Sequence, residues 1–331
     1  MTRLTRFTTL LLAAGLLCAG ALFMVLAWPV PLSEPKLLVR VPPGASLKVA
    51  AHALNAGGVG VAPWMISGVG RVAGLSTAIK AGSYEFEQGI SLWALLRKLA
   101  SGDTSQGEVL FVEGITFREI RARLNAQPDL LHTTQAMSDE AIVARLGAPD
   151  RKPEGWFFPD TYRFDKRSED IEVLARAMAA MQKQLDAAWQ GRDANLPLKT
   201  PYELLILASI VEKETGAAVD RAQIAGVFIN RLRKGMRLQT DPTVIYGLGE
   251  RFDGNLRKGD LQRDTPHNTY TRGGLPPTPI CMPGLASLQA AAHPAKTDAL
   301  YFVARGDGTS QFSASLDSHN RAVNHYQRGK P

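Results

Sequence analysis

The chain has 331 residues, enough for about two domains, and its 45% hydrophobic and 21% charged content is a globular balance that excludes extensive disorder. Lys plus Arg number 38 against 31 Asp plus Glu, and the net charge of +7 is too mild to separate nucleic acid, anionic lipid and simple solubility as its reason. With two cysteines, Cys18 and Cys281, and six histidines that form no HExxH pattern, a disulfide scaffold and a multi-thiolate zinc site are excluded, and neither a metal nor a cofactor is expected.

In chain order, Phe7 to Trp28 carries no charge and is mostly Leu, Ala, Val, Phe and Gly, long enough for one membrane-crossing helix. Arg3 and Arg6 precede it, so the positive-inside rule makes 1–6 a cytoplasmic tail, 7–28 an uncleaved anchor, and the remainder extracytoplasmic. A cleaved signal peptide is the competing reading. Against it stand the length of the apolar stretch and the lack of a small-x-small site before Pro29. Pro29, Pro31 and Pro35 stiffen a linker over 29–37.

Next comes a repeat. Gly44-Ala45-Ser46-Leu47, Gly89-Ile90-Ser91-Leu92 and Gly114-Ile115-Thr116-Phe117 are followed at one common offset by Leu54, Leu99 and Leu124. Each copy reads as a Gly turn, a Ser/Thr N-cap and an amphipathic helix, with Val39–Val41 and Val109–Val112 as preceding strands. The pattern resembles the opening of LysM-type glycan-binding modules, which would make 38–150 a LysM-like α/β module; a repeated packing unit is the plainer reading.

Between Met137 and Pro149 the pattern predicts a helix and a loop. The run from Glu154 to Tyr162 is dense in aromatics and suits either a sugar-stacking groove or a core seam. A long helix is expected from Glu169 to Trp189 with Met178 and Met181 in its core face, then a loop from Gly191 to Thr200.

Residues 201–216 read PYELLILASIVEKETG, a helix opened by Pro201 and stopped by Gly216. At about 100° per residue, Leu204, Leu207, Ala208 and Val211 form one stripe. Glu214 falls near that stripe and Glu212 points away. Glu214 is therefore the carboxyl expected to be desolvated, which would raise its pKa and let it hold a proton for general acid work. Two surface glutamates flanking Lys213 would be the ordinary alternative. Asp241-Pro242 reads as an N-cap followed by Pro at the first helical position.

Taken with Val227–Leu232, Gly235–Gly247, Asn268-Thr269-Tyr270, Gly274–Pro277, Pro283-Gly284 and Ala291–Pro294, the segment resembles the endolytic murein transglycosylase family, the MltG or YceG-like proteins. The resemblance is densest over 201–325. It implies an α+β fold, with an N-terminal transmembrane helix, the LysM-like module and a mixed α/β catalytic domain over 151–331. It further implies a single-pass inner-membrane protein whose catalytic domain is periplasmic. Its partners would be peptidoglycan glycan strands and the peptidoglycan synthases, and no nucleic acid. The family's catalytic glutamate, the second of its Glu-Lys-Glu-Thr motif, is Glu214. The implied reaction cuts the β-1,4 bond between N-acetylmuramic acid and N-acetylglucosamine and leaves a 1,6-anhydromuramoyl end, terminating nascent strands. One carboxyl suffices because the sugar's own 6-hydroxyl is the nucleophile, unlike the two-carboxylate hydrolases. Asn230, Gln239, Asp241, Tyr246, Asn268 and Tyr270 are hydrogen-bonders suited to sugar hydroxyls and acetamido groups.

The chain departs from the family's pattern at Met282, where a polar residue is expected before Pro283, and at Gln311, where many members carry His. His293 and His319 are further candidate site residues, with a structural or capping role as the plainer reading. Pyridoxal chemistry, once attached to the family by name, would need a Lys that no surrounding pattern marks. Two rivals remain: a lysozyme-like hydrolase pairing Glu214 with Asp241 or Glu212, and a non-catalytic peptidoglycan-binding scaffold.

Overall fold

The three Gly-x-Ser/Thr copies fold as turns that launch helices. Gly44, Gly89 and Gly114 have φ of +72°, +93° and +75°, a region that side chains disfavour. Two residues on, Ser46, Ser91 and Thr116 accept a backbone N–H of the first helical turn. The structure is a computed structural model and describes residues 12–13, 15–17, 20, 24, 26–214 and 217–329. The expected anchor lies mostly outside the described residues, and among those described no helix is long and apolar enough to cross a membrane.

The architecture is α+β, small two-stranded sheets among many helices. The chain forms two compact units. One holds the chain up to Glu108 with Asp129–Leu131 and Arg163–Ser168; the other holds Val109–Pro128, His132–Tyr162 and Glu169 onward. The boundary drawn from sequence at 150 thus lies inside the second unit, and the third repeat copy belongs to that unit.

In the first unit, β1 (Lys36–Val41), α1 (Leu47–Ala56), α2 (Pro63–Val72), β2 (Gly82–Glu87) and α3 (Leu92–Ser101) follow in order. β1 and β2 pair antiparallel with Leu37 opposite Phe86 and Val39 opposite Tyr84. Alternation turns these side chains to one face, where they pack with Leu54, Ile66, Leu95 and Leu99 in one apolar core. The buried Tyr84 hydroxyl donates to Lys80 O at 2.7 Å.

β3 (Gln106–Leu110), α4 (Phe117–Asn125), β4 (Leu130–Leu131), α5 (Asp139–Arg145), β5 (Thr161–Asp165) and β6 (Ser168–Glu169) come next, β3 pairing with β5 and β4 with β6. The strand expected over 109–112 ends at Leu110, because Ile115 turns back onto Val112 as the glycine turn begins. Thr116 and Glu119 complete a reciprocal capping box at the start of α4. The aromatic run resolves as a core seam: Trp156, Phe157 and Tyr162 are buried, Phe157 stacks on Phe117, and Trp156 on Tyr202.

The second unit continues with α6 (Asp170–Gly191), α7 (Pro201–Glu214), α8 (Arg221–Arg233), α9 (Asp241–Leu248), α10 (Lys258–Gln262), α11 (Leu285–Ala292), β7 (Tyr301–Ala304), β8 (Ser310–Ser313) and α12 (Leu316–Gln327). α6, with Met178 and Met181 buried, matches the long helix read from sequence. α7 is not amphipathic as the stripe argument required. Every residue from Leu204 to Val211 is buried, because α6, α8, α9 and α11 all pack against it. Its expected stop, Gly216, lies outside the described residues. α9 starts one residue earlier than read from sequence: Thr240 is the N-cap, and Asp241 is already helical.

Candidate active site

α7 is a buried central helix whose last described residue, Glu214, is partly exposed. A carboxylate there faces the negative end of its own helix dipole as well as loss of water. Burial is the largest influence on Glu214 and raises its pKa; the Thr240 hydroxyl lowers it, the Asp241 charge raises it and Arg231 lowers it, leaving it raised.

Each of these neighbours is fixed by local structure. The Thr240 hydroxyl donates to Glu214 Oε1. The Thr240 backbone N–H donates to Thr269 Oγ1 at 3.1 Å, its carbonyl accepts from the Thr243 hydroxyl at 2.7 Å, and the Thr243 and Thr269 hydroxyls are 2.9 Å apart. Gln239 sits at φ +49°, a left-handed conformation uncommon outside glycine, and its N–H donates to Thr269 O at 3.2 Å. Strain of this kind gathers at functional sites when the surroundings hold it in place. Asp241 is exposed at the first position of α9, and the Tyr270 hydroxyl donates to its Oδ1 at 2.5 Å. Burial and the Asp241 charge raise the Tyr270 pKa, so it remains a proton donor. Arg231 is buried on α8, donating from Nε to Leu300 O at 2.7 Å and from Nη1 to Leu238 O at 2.8 Å. It also lies 3.5 Å from Gln239 Oε1.

Glu214, Gln239, Asp241 and Tyr270 are therefore brought together, linked through Thr240, Thr269 and Arg231. Tyr246 lies further along α9, where its hydroxyl donates to Glu154 Oε2 at 3.1 Å. The Asn230 amide donates to Thr297 O at 2.7 Å and Ala299 O at 3.1 Å, fixing that loop. Asn268 is fully buried, donates to the carbonyls of Asp260, Leu261 and Arg263, and accepts from Tyr270 N. Glu212 accepts from Gly284 N at 2.9 Å. His293 pairs with Asp193 at 2.8 Å, and His319 stacks on Tyr301. Met282 is fully buried, and Gln311 accepts from Arg305. Among the described residues no His, Cys, Asp and Glu group could hold a metal ion.

Sequence reasoning missed Thr240, Arg231 and Glu154. Thr240 was missed because Pro242 reads as the first helical position, which puts the cap at Asp241; Pro242 is the second. Arg231 carried no signal, because its role comes from carbonyls distant in sequence. Glu154 was legible only as an acid opening an apolar run.

A sequence model of the YceG-like family matches residues 39–325. The chain is 32% identical over 315 residues to the endolytic murein transglycosylase of Bacillus subtilis, covering 90% of this chain and 87% of that one. It is 31% identical over 289 residues to the endolytic murein transglycosylase of Streptococcus pneumoniae, covering 77% of this chain and 52% of that longer one. The crystal structure of the yceG-like protein lmo1499 from Listeria monocytogenes superposes with a TM-score of 0.55 at 32% identity, covering 87% of this chain and 99% of that one.

Proposed function

The chain belongs to the YceG-like family, and from that premise we propose that it is an endolytic lytic transglycosylase of peptidoglycan with Glu214 as its acid and base. The observation that carries the reading is the place of Glu214: a carboxyl whose pKa burial raises, at the end of a buried helix, with a fixed hydroxyl from Thr240, exposed Gln239 and Asp241, and half-buried Tyr270.

The reaction starts with Glu214 protonated. Its proton passes to the glycosidic oxygen as the bond from C1 of N-acetylmuramic acid to the N-acetylglucosamine oxygen breaks. The 6-hydroxyl of the same muramic acid attacks C1, and Glu214, now a carboxylate, takes that hydroxyl's proton. The enzyme is returned to its starting state and no water is consumed. Thr240 steadies the carboxylate between the two transfers. Asp241, held by the Tyr270 hydroxyl, sets negative charge beside the site as the sugar becomes oxocarbenium-like.

Internal cuts of this kind would terminate nascent strands, and synthases extending them are the matching partners. An anchor at 7–28 would hold the domain on the periplasmic side of the inner membrane. N-terminal sequencing of the membrane fraction tests this, and a mature chain beginning beyond Ala27 overturns it. The reaction is tested by mass spectrometry of glycan strands incubated with residues 30–331 and with its Glu214→Gln form. Anhydro ends from the first and none from the second are expected; reducing ends would make the protein a hydrolase, and no cleavage by folded protein would favour a scaffold.

A further inference from the structure

A cavity of about 910 Å³ opens beside α9 within the second unit, a volume ordinary for a small-ligand site. Lys213 and Pro242, the chain neighbours of Glu214 and Asp241, both line it, so it reaches the C-terminal end of α7 and the start of α9. Glu154 lines it as well, at 6% exposure. Phe117 N donates to Glu154 Oε1 and the Tyr246 hydroxyl to Oε2, both at 3.1 Å. Among the described residues no cation pairs with this carboxyl. Gly155 fixes the turn that carries it: φ is +87°, and a Cβ there would lie 2.5 Å from Pro279 Cγ.

Burial pushes Glu154 up to about 7 and raises Tyr246, while it lowers His267. Glu154 is thus about half protonated at neutrality, and below it the floor is uncharged, with a carboxyl proton to donate and a phenolic oxygen to accept. His267 Nε2 and Thr278 Oγ1 continue the polar seam at 2.9 Å, and His267 meets the Tyr246 ring edge-on. Most charges on the lip are already engaged: Arg118 pairs with Glu250, Lys152 with Glu140 and Asp139 with Arg121, while the Lys213 ammonium donates to Gly114 O at 3.4 Å. Phe252, half-buried, adds aromatic surface. Neutral polar groups beside aromatic faces suit an uncharged hydroxylated ring rather than the carboxylates of a stem peptide.

We propose that this cavity is a sugar subsite, seating an N-acetylated hexosamine unit of the strand next to the bond that Glu214 cleaves, with Glu154 and the Tyr246 hydroxyl as its polar floor. The assignment rests on the transglycosylase reading for the identity of the strand, but its test does not need turnover. Peptide-free oligomers of N-acetylglucosamine are titrated calorimetrically into the full-length Glu214→Gln protein, and into the same protein carrying Tyr246→Phe, Glu154→Gln or Phe252→Ala. Each added change is expected to weaken binding by roughly tenfold with the thermal midpoint of Tyr246→Phe and Phe252→Ala unchanged. Undiminished binding in both of those folded variants would overturn the subsite, as would displacement of the sugar by free stem peptide. Wild-type protein that binds oligomers through Tyr246 yet never cuts strands would sink the transglycosylase reading and leave the subsite standing. A Tyr246→Phe enzyme that cuts with unchanged KM and product lengths would do the reverse.

Discussion

At Glu214, burial and the neighbouring Asp241 charge hold the proton on, while the Thr240 hydroxyl and Arg231 favour its release. Removing the carboxyl in Glu214→Gln should lower strand cleavage by roughly 10²- to 10⁴-fold without unfolding the chain, as counted by product chromatography. Thr240→Val deletes an influence that lowers the Glu214 pKa. The acid form then survives to higher pH, and the basic limb of the kcat/KM profile should move upward; a limb that stays put, or moves down, would remove Thr240 from the account. The sequence points to Glu214 over Glu212 through the resemblance and a helical stripe; the stripe is absent, since α7 is buried all round, and Glu214 is set apart by its place at the helix end and by partners from α8 and the start of α9. Glu212 is instead committed to Gly284 N.

Among the elements, the repeat gives a clean test of glycine's backbone role. Gly89 has φ +93° with open space where a Cβ would go. Gly89→Ala should therefore cost about 1 kcal/mol through backbone strain alone, read as a lower denaturant midpoint at unchanged slope. Thr116→Ala removes the capping box of α4 and should cost about 1 kcal/mol as well. Helices with caps and steady apolar spacing, such as α1, α3 and α4, and the long α6 with its apolar spacing alone, were legible because their signals are local. The short strands β3 to β6 were poorly legible, since two to five residues leave little alternation to read and their partners lie far along the chain. The same limit hid the fate of Asn230 and Asn268. Their residue types suit a sugar groove, but their amides are occupied by backbone carbonyls that only the tertiary fold supplies.

For the whole molecule, buried acids that resist ionisation make stability depend on pH. Glu154 binds its proton more tightly folded than unfolded, its pKa raised from an ordinary 4.5 to about 7. Its favourable contribution is complete below the unfolded value and is lost as pH rises through the folded one, a change of about 3 kcal/mol by linkage. Glu214 acts in the same direction. Denaturation midpoints should therefore fall between about pH 5 and pH 8, and Glu154→Gln should flatten much of that slope. A wild-type slope that is absent or rising would contradict the buried, cation-free environment described for Glu154.

The central claim is that one carboxyl suffices because the strand supplies its own nucleophile. Running the cleavage in water enriched with heavy oxygen and weighing the new ends by mass spectrometry tests it most directly. The account predicts anhydro ends with no heavy oxygen incorporated. Heavy oxygen at C1 of the released ends would show that water is the nucleophile, and would contradict it.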